Sequence, residues 1–524
     1  EAPSPKPAQG PVVEPPQADP PRPVEPAPPA GDALERLAAA GDAEGLRRLA
    51  EDYLLGRGGR PKDVARAVEC LRRAADAGDL VSLTNLGVLL AQGQGVARDD
   101  AAAVECFRRA AEGGEPGGQR IYANRLFEGQ GVARDEVAGV RFARLAAASG
   151  DAAAHELLGV AYQYGRGVEP DLQRAGEHFL SAAKGGRGQA CGRWALLAKR
   201  GSLGAEAQGR WAGVAERGVQ LGDAVSMRLL AYACYEGDGR APDLVRAVEL
   251  WTQASDLGDA ISTQCLAVAC SEGQGTPRDE ARARALFRKA IDLGNVAALH
   301  GLAVLLRNGR GGPRDLAGAA AWEQKAAEAG DLQGMEAYGQ HLAKGQGVPR
   351  DLAAAEGWYR RAHTEGHAGA TRELALLLLG KGEAAAQREA LELLEARARA
   401  DDGHACAMLA AVYRGVAGEV PADPARAHAY AQRASDLGNR LGDLYLGDDF
   451  AVGGVVPQDV ARGFALWRRS AEKGEGNAYR RLGQAYLRGL GVPVDLEQAR
   501  TWLERGVAAG DRGCQDLLQE LEGR

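Results

Sequence analysis

Two histidines, His363 and His367, have the spacing that places both side chains on one face of a helix, as in a zinc-binding pair. Gly366 lies between them at a position where a helix would end, so we predict no metal site there. His155 and Glu156 begin like the motif of zinc proteases, but the second histidine is missing. The histidines therefore predict no bound metal ion.

A serine and a lysine, Ser181 and Lys184, have the Ser-x-x-Lys spacing of the nucleophile motif in penicillin-recognising enzymes. The alanines between them belong to a pattern that recurs along the chain, and we find no companion motif of that enzyme class. The Gly-x-Gly loops, such as Gly93 to Gly95, lack the Lys-Ser/Thr pair that follows in a phosphate-binding loop. We therefore predict a protein that is not an enzyme and holds no cofactor.

The charge and hydropathy of the chain exclude two further classes of function. Its 524 residues carry a formal net charge of -7, and no run of Lys or Arg stands out. We therefore predict no nucleic-acid binding, which draws its affinity from clustered cations. The chain has no stretch of about eighteen apolar residues, so we predict no transmembrane segment in it.

The elements that would position any site are marked by a glycine at a fixed interval, as from Gly78 to Gly114. This period indicates a solenoid, in which each repeat buries its apolar face against its neighbours. Two helices joined by a glycine loop fit one period, because Leu83, Leu86 and Leu90 recur at helical spacing. The glycines on this grid are Gly78, Gly114, Gly150, Gly186, Gly222, Gly258, Gly294, Gly330, Gly366, Gly438, Gly474 and Gly510, with Gly403 displaced by one residue.

Each predicted second helix begins after an aspartate and carries an aromatic residue about seven positions before the closing glycine. The aspartates indicate helix caps, because their carboxylates can accept backbone N–H bonds, and the aromatic residues indicate packing between repeats. The aspartates are Asp63, Asp99, Asp135, Asp171, Asp243, Asp279, Asp315, Asp351, Asp423, Asp459 and Asp495. The aromatic residues are Phe107, Phe142, Phe179, Trp251, Phe287, Trp322, Trp358, Tyr430, Trp467 and Trp502.

Residues 1–30 hold 12 of the 23 prolines and too little apolar surface to form a core. We predict a disordered Pro-rich linker that could extend roughly 90 Å as polyproline II and serve as a tether to a membrane or cell wall. Its PxxP register, as in Pro20 and Pro23, is also the pattern that SH3-type grooves recognise. Because the chain begins at Glu1 and not Met, we expect that an upstream portion was removed.

The motifs of one repeat are Leu158-Gly159 with Tyr162, the loop Gly165 to Val168, Asp171, and the closing Ala-Ala-x-x-Gly that ends at Gly186. Together they resemble the Sel1-like repeat, a relative of the tetratricopeptide repeat, over about residues 42–523. The resemblance implies an all-α fold, an α/α superhelical solenoid of about 13 repeats within residues 31–523, with the first helices lining a concave groove. Family members are typically adaptors that assemble other proteins, and many bacterial ones are exported or attached to the cell envelope.

Two parts of the array depart from the repeat. The unit from Gly186 to Gly222 lacks the Gly-x-Gly-Val loop and its Asp, and residues 380–425 have altered loops and an offset register. We predict bends near 186–222 and 380–425 that divide the array into three rigid segments.

The eight cysteines lack the spacing of the disulfides that staple the two helices of a repeat in some Sel1-like proteins. Cys70 and Cys106 hold equivalent positions one repeat apart, as do Cys234 and Cys270, and such positions lie roughly 9 Å apart. We predict mostly free, buried thiols. Free thiols favour a reducing compartment, whereas the resemblance favours an exported, periplasmic or envelope-attached location, so both locations stay open.

Recognition is expected where the repeats differ, because the recurrent residues already form the frame. We predict a non-enzymatic adaptor that binds a partner protein or peptide in the concave groove through polar and aromatic side chains of the first helices. The alternative is a receptor for a small molecule, a peptidoglycan fragment or a polysaccharide of the cell envelope. The predicted partner-binding residues are Asn85, Arg120, Asn124, His155, Gln163, Arg228, Tyr232, Tyr235, Gln264, His300, Arg307, Gln340 and Arg372.

Overall fold

The computed structural model describes residues 30–238, 241–416 and 420–522. The described residues form 28 α-helices and one π-helical turn, with no β-strand among them, which confirms the predicted all-α class. The chain divides into two compact units, of which unit 1 ends at Pro242 and unit 2 begins at Asp243.

The helices are short and nearly uniform in length. Those of unit 1 are α1 (Ala30–Ala39), α2 (Ala43–Leu55), α3 (Val64–Asp76), α4 (Leu80–Gln92), α5 (Asp100–Glu112), α6 (Pro116–Glu128), α7 (Glu136–Ala148), α8 (Ala152–Tyr164), α9 (Leu172–Lys184), α10 (Gly188–Lys199), α11 (Ala205–Gln220) and α12 (Ala224–Glu236). Those of unit 2 are α13 (Leu244–Asp256), α14 (Ala260–Glu272), α15 (Glu280–Asp292), α16 (Ala297–Asn308), α17 (Leu316–Glu328), α18 (Leu332–Lys344), α19 (Leu352–Thr364), α20 (Ala368–Leu379), α21 (Ala384–Arg399), α22 (Gly403–Ala411), α23 (Pro424–Asp436), α24 (Arg440–Val452), α25 (Val460–Glu472), α26 (Gly476–Arg488), α27 (Leu496–Ala508) and α28 (Arg512–Glu522).

Two kinds of helix alternate along the chain. The even-numbered helices α2 to α26 are the first helices of the repeats and are termed A helices, and the odd-numbered helices α3 to α27 are the B helices. They make thirteen A–B pairs, in agreement with the predicted repeat number, and α1 and α28 flank them. Within each unit every helix packs on the next one, and A helices also pack on the following A helix, as α4 does on α6 and α22 on α24.

Aspartates start the B helices, as predicted from their spacing. Asp171 Oδ1 accepts a hydrogen bond from Arg174 N at 3.0 Å, while the Asp171 backbone is extended. All eleven predicted aspartates cap a B helix through the same kind of bond. Because the carboxylates satisfy N–H groups at the start of the helices, their regular recurrence is explained by folding.

The second glycine of the Gly-x-Gly loop lies against the preceding repeat. Gly167 has φ +69°, and a Cβ at this position would overlap the backbone carbonyl of Glu136 at the start of α7. Gly131 meets Asp100 O in the same way, with 2.8 Å between that oxygen and the position of a Cβ. Only glycine permits both the left-handed backbone and this close approach, so the loop motif controls the distance between consecutive repeats.

Six of the ten predicted aromatic residues are buried in the core, namely Phe107, Phe142, Phe179, Trp251, Phe287 and Trp467. Phe107 packs on Gly87 of its own A helix so closely that a Cβ on that glycine would lie 2.6 Å from the ring. The Leu-Gly motif of the A helix therefore makes room for an aromatic ring from the B helix.

The other four aromatic residues are only half-buried, so the prediction of a core role was too broad. Trp322, Trp358, Tyr430 and Trp502 lie eight positions before the closing glycine, one earlier than the buried aromatic residues other than Phe142, which is buried at this same earlier position. In the repeat of Trp358 it is Tyr359 that is fully buried, against Gly339, while the Trp358 ring packs edge-on against Tyr338 at 5.9 Å. The B helices thus use two neighbouring aromatic positions, one in the core and one at the seam to the A helix.

The two departures predicted from the sequence coincide with local irregularities. Helices α11 and α21 have 16 residues, and neither has a side-chain hydrogen bond at its N-cap. The π-helical turn Val412–Val416 contains Gly415 at φ +87°. The bends near 186–222 and 380–425 and the domain boundaries stay predictions.

The Pro-rich linker was predicted for residues 1–30; residues 1–29 lie outside the described residues, and Ala30 is the first residue of α1. No helix of the described residues is both long and apolar enough to cross a membrane. Six cysteines of the described residues, Cys70, Cys106, Cys191, Cys270, Cys406 and Cys514, form no disulfide, and all of them except Cys106 are buried.

Candidate functional site

One face of the A helices remains accessible after the repeats have packed. In α8, Ala153, Leu157, Val160 and Tyr164 lie on this face, spaced four, three and four residues apart, and each is half-buried or exposed. Successive A helices are adjacent within a unit, so their accessible faces form one surface, here termed the A surface. Its central row is Val88, Asn124, Val160, Leu196 and Tyr232 in unit 1, and Val268, Gln340, Leu376, Asp448 and Gln484 in unit 2.

A polar contact joins many A helices to the start of the next A helix. Arg120 Nε donates to Asp151 Oδ2 at 3.1 Å, and Asp151 is the N-cap of α8. Arg187 Nε donates to Glu156 Oε2 at 2.7 Å between the same two positions one repeat later, with the charges exchanged. These contacts are termed the capping ladder, and its other members are Arg47 with Asp79, Thr84 with Glu115, Gln264 with Asn295, Glu336 with His367, Arg372 with Asp402 and Arg480 with Asp511.

Three predicted partner-binding residues, Arg120, Gln264 and Arg372, belong to the capping ladder. A fourth, Arg228, holds the equivalent position on α12. The ladder gives these residues a role in holding consecutive repeats together, and their contact with a partner stays a prediction.

Four further predicted residues lie on the A surface: Asn85, Asn124, Tyr232 and Gln340. Gln340 Nε2 donates to Glu336 Oε1 and to Glu373 Oε1, both at 3.1 Å, and so links α18 to α20. The predicted residues Gln163, Tyr235 and Arg307 lie near the C-terminal ends of their A helices. Eight of the thirteen predicted residues belong to unit 1 and five belong to unit 2.

His155, another predicted residue, faces the B helix of its own repeat. Its Nδ1 lies 3.0 Å from Nδ1 of His178, so only one of these two nitrogens can carry a proton in that contact. The His178 ring also stacks on Tyr162, with 5.6 Å between centroids. Burial, with smaller effects from His155 and Arg144, lowers the pKa of His178 to about 4, and burial lowers the pKa of His155 as well. The pair is therefore neutral at pH 7.

His300 also faces its own B helix. Its Nδ1 lies 3.0 Å from the carboxylate of Glu323, which is fully buried at a position where Phe107 and Phe179 stand in other repeats. The hydrogen bond to Glu323 raises the pKa of His300, and burial raises the pKa of Glu323. His155 and His300 are thus engaged inside the repeats.

Unit 1 has a depression of about 360 Å³ on its A surface between α6 and α8. Its apolar lining comes from Ile121, Leu157 and Val160, which are half-buried. Its polar lining comes from Arg120, Asn124, Arg125, Glu156 and Arg187. Arg120 and Asn124 are the two predicted partner-binding residues that meet there.

Unit 2 has a depression of about 460 Å³ lined mainly by α24 and α26. Asp448 accepts hydrogen bonds from Trp467 Nε1 at 3.0 Å and from Arg481 Nε at 2.9 Å. Asp449 pairs with Arg414 and with His428 Nδ1. The two carboxylates in this depression are therefore already paired with residues of the frame.

The described residues contain no group of three or more His, Cys, Asp or Glu side chains placed to hold a metal ion. His367 is the N-cap of α20, where its Nδ1 accepts a hydrogen bond from Ala370 N at 3.2 Å. His363 Nδ1 lies 2.9 Å from Thr371 Oγ1. The two histidines that have metal-site spacing thus have separate contacts within the fold.

Several residues of the unit 1 depression were not predicted from the sequence, among them Arg125, Glu156, Leu157 and Arg187. Arg187 is the N-cap residue of α10, at the start of the divergent repeat, and it makes no side-chain capping bond. The recurrent capping pattern therefore predicts no role for its side chain. The sequence does contain one feature that predicts the contact between Glu156 and Arg187. These two residues have opposite charges and the same separation as Arg120 and Asp151, which also have opposite charges.

The helix pairs and the A surface define an α/α repeat protein. A family model described as the Sel1 repeat matches residues 43–79, 80–115, 116–151, 152–186, 224–259, 266–295, 296–331, 332–367, 403–439, 439–475 and 476–511. The chain therefore belongs to the Sel1 repeat family, and the resemblance inferred from its motifs is confirmed. The pairs α10–α11 and α20–α21 fall between the matches, and α10, α11 and α21 lie within the regions where the sequence departs from the repeat.

Solved structures of similar fold include c5321, a protective antigen of uropathogenic Escherichia coli, at 24% identity over 94% of this chain and 90% of that one, with a TM-score of 0.41. A Sel1 repeat protein from Oxalobacter formigenes is 24% identical over 66% of this chain and 90% of its own, with a TM-score of 0.33. Yeast Tom70 is 14% identical over 93% and 96%, with a TM-score of 0.38. A comparison with curated proteins gave no match. At these TM-scores the family assignment rests on the repeat matches alone.

Sel1 repeat proteins generally mediate protein–protein interactions and are typically non-enzymatic scaffolds.

Proposed function

We propose that this protein is a non-enzymatic adaptor that binds a segment of a partner protein in a groove along the A surface. The observation that carries the proposal is the accessible row of side chains on the A helices. The helix caps and the aromatic packing do not cover this row, and the unit 1 depression lies on it. Residues that take no part in helix capping or repeat packing can vary in sequence without loss of the fold.

The composition of the A surface suits a protein partner. In unit 1 its central row is mostly apolar, with Val88, Val160 and Leu196, and polar side chains such as Asn124 stand among them. Protein interfaces combine apolar anchors with a polar rim in this way. In unit 2 the row changes from Val268 and Leu376 to Asp448 and Gln484, so different stretches would select different parts of a partner.

The alternative, a receptor for a small molecule, peptidoglycan fragment or polysaccharide, has weaker support. It requires exposed aromatic rings, and Tyr164 on the A surface is one, but Phe107, Phe179 and Trp467 are buried. In the unit 2 depression, the carboxylates of Asp448 and Asp449 already pair with Arg481 and Arg414. The adaptor is therefore the function that the geometry favours.

The test compares two leucines of similar exposure on different faces. Leu376 lies on the A surface and is 51% exposed, and Leu145 lies on the B helix α7 and is 47% exposed. We expect Leu376→Glu to abolish co-purification of a partner that the wild-type chain and Leu145→Glu both retain, because a charge in an apolar contact is costly to bury. Equal retention by both variants and the wild type would remove this part of the A surface from the interface.

A further inference from the structure

We infer that the unit 1 depression binds an acidic, extended segment of the partner, with one apolar side chain seated between α6 and α8 and adjacent Asp or Glu carboxylates bound by Arg120 and Arg187. The inference rests on the proposed adaptor function and adds the chemistry of the bound segment. It concerns unit 1 alone.

The two arginines are oriented but not saturated. Arg120 bonds to Asp151 and Arg187 bonds to Glu156 through Nε in both cases. Among the hydrogen bonds of the described residues, neither arginine uses its Nη1 or Nη2 group. The Nε contact fixes each guanidinium at the edge of the depression, so that the remaining donors are available to bind a carboxylate at little further cost in side-chain entropy.

Both arginines remain accessible to a ligand. The side chain of Arg120 is 35% exposed and that of Arg187 is 46% exposed, while their acidic partners are more deeply buried. A carboxylate can therefore approach from solvent without displacing the bonds of the capping ladder.

The charge of the lining favours an acidic ligand over a basic one. Three arginines, Arg120, Arg125 and Arg187, line the depression, and two acids oppose them, Glu156 in the lining and Asp151 bonded to Arg120, which leaves one cation in excess. Arg125 Nη1 donates to the neutral side chain of Gln130 at 2.6 Å, so its charge is not neutralised by that contact. The unit 2 depression has no such excess, because its two lining arginines, Arg414 and Arg481, pair with Asp449 and Asp448. Electrostatic complementarity thus distinguishes unit 1 as the acid-binding part.

The floor of the depression supplies the second element of recognition. Ile121, Leu157 and Val160 are half-buried and line a volume of about 360 Å³, which suits one or two aliphatic side chains. Side chains two residues apart in an extended chain point to the same side, so an aliphatic residue with an acidic residue two positions before it and another two positions after it can place its side chain on the floor and the carboxylates at the arginines.

The probe is a short, N-acetylated and C-amidated peptide in which a central Leu has a Glu two positions before it and another two positions after it, labelled with a fluorophore and titrated with the full chain. A matched peptide has Gln in place of every Glu, and a third has Gln throughout but a free C-terminal carboxylate. We expect the Glu peptide to bind roughly tenfold more tightly than either Gln peptide, with an affinity that falls as salt is added. Equal binding by the amidated Glu and Gln peptides overturns the inference, and so does stronger binding by the peptide with a free terminus.

The variants test the position of the site. We expect the paired change Arg120→Gln and Arg187→Gln to remove the preference for Glu over Gln. The control is Arg134→Gln, because Arg134 is exposed, pairs with Glu136 outside the depression and should leave the preference unchanged. A second variant, Val160→Glu, keeps both arginines and adds a carboxylate to the floor, so it should lower Glu-peptide affinity even if the arginine pair proves to be needed for folding. An unchanged preference in folded Val160→Glu protein overturns the inference.

Failure of this inference differs from failure of the adaptor function. If a partner depends on Leu376 but the Glu and Gln peptides bind equally, the adaptor stands and the acidic specificity of unit 1 is overturned.

Discussion

Glu156 and Arg187 repeat the contact between Arg120 and Asp151 with the two charges exchanged. The acid Glu156 lies within the A helix α8, and its partner Arg187 lies at the start of the next A helix. In the other pair the base, Arg120, lies within the A helix α6, and the acid, Asp151, lies at the start of the next one. Gln264 with Asn295 makes the same link without charge. The capping ladder thus conserves complementarity between repeats while the residue types change, which identifies it as part of the stacking interface.

The charge order of one ladder contact should be exchangeable. We expect Glu156→Arg alone to lower the free energy of unfolding by about 1–2 kcal/mol, because it places two guanidiniums together at a largely buried position. Adding Arg187→Asp should recover most of this loss, since the ladder contact returns and the new Asp can cap α10, which has no side-chain cap. Urea unfolding of the wild type, the two single variants and the double variant gives the coupling free energy between residues 156 and 187 in a double-mutant cycle.

The control for this cycle is the exposed pair Arg108 and Glu105, two residues of the same B helix. Exchanging these charges should give no measurable coupling, because exposed ion pairs contribute little. A coupling between residues 156 and 187 no larger than that of the control would mean that the ladder does not stabilise stacking.

The second loop glycine should be far less tolerant of substitution than the glycine that closes a repeat. Gly167 and Gly186 both have positive φ, at +69° and +85°, but a Cβ overlaps Glu136 O only at Gly167 and meets no atom within 4 Å at Gly186. We expect Gly186→Ala to cost about 1 kcal/mol from backbone strain alone. Gly167→Ala should cost about 2 kcal/mol more, because the neighbouring repeat has to move. Similar losses in urea unfolding for the two variants would show that the loop does not set repeat spacing.

Unit 1 should lose stability in acid through His178. The pKa of His178 is about 4 in the folded chain against 6.5 for the free side chain, so the unfolded chain binds the proton first as pH falls. The contribution is therefore fully present above pH 6.5 and is lost progressively as pH falls toward 4. After a discount for partial exposure, it amounts to about 1 kcal/mol.

The test for His178 is the variant His178→Phe, which keeps a ring against Tyr162 and removes the titrating group. We expect its unfolding free energy to change less between pH 6.5 and pH 4 than that of the wild type. His404→Gln, which removes an exposed histidine, serves as the matched control. Parallel pH profiles for the wild type and His178→Phe would contradict the assignment.

The buried carboxylate of Glu323 should depend on His300. We expect His300→Ala to lower the free energy of unfolding by about 2–3 kcal/mol, because it leaves a fully buried acid without its hydrogen-bond partner. Replacing both residues by Leu should cost less than the single change, since no polar group is then left unpaired. Thermal unfolding of the single and the double variant measures both losses of stability. A larger loss in the double variant than in His300→Ala would refute this account of the pair.

The repeat frame could be predicted from the sequence because its residues recur at a fixed interval with the same chemistry. Asp171 as a helix cap and the Leu158-Gly159 motif are of this kind, since each repeat provides another instance of the same local contact. Trp358 shows the limit of that approach, because a shift of one residue along the helix moves an aromatic ring from the core to the seam.

The candidate site was less predictable because it depends on which side chains of neighbouring repeats meet. Arg120 and Asn124 both differ between repeats, yet Arg120 bonds to the next N-cap while Asn124 lies on the A surface. Their sequence positions are only four residues apart and give no sign of this difference. His155 likewise reads as a variable surface residue until its contact with His178 is seen.

The most direct test of the central claim is site-specific photo-crosslinking in cells at Tyr164 and Val137. Both positions are well exposed, at 62% and 70%, but Tyr164 lies on the A surface and Val137 at the start of the B helix α7. We predict that a photoreactive residue at 164 yields a discrete crosslinked partner and that the same residue at 137 does not. Equal crosslinking of one partner from both positions, or a partner captured from position 137 alone, would contradict binding along the A surface.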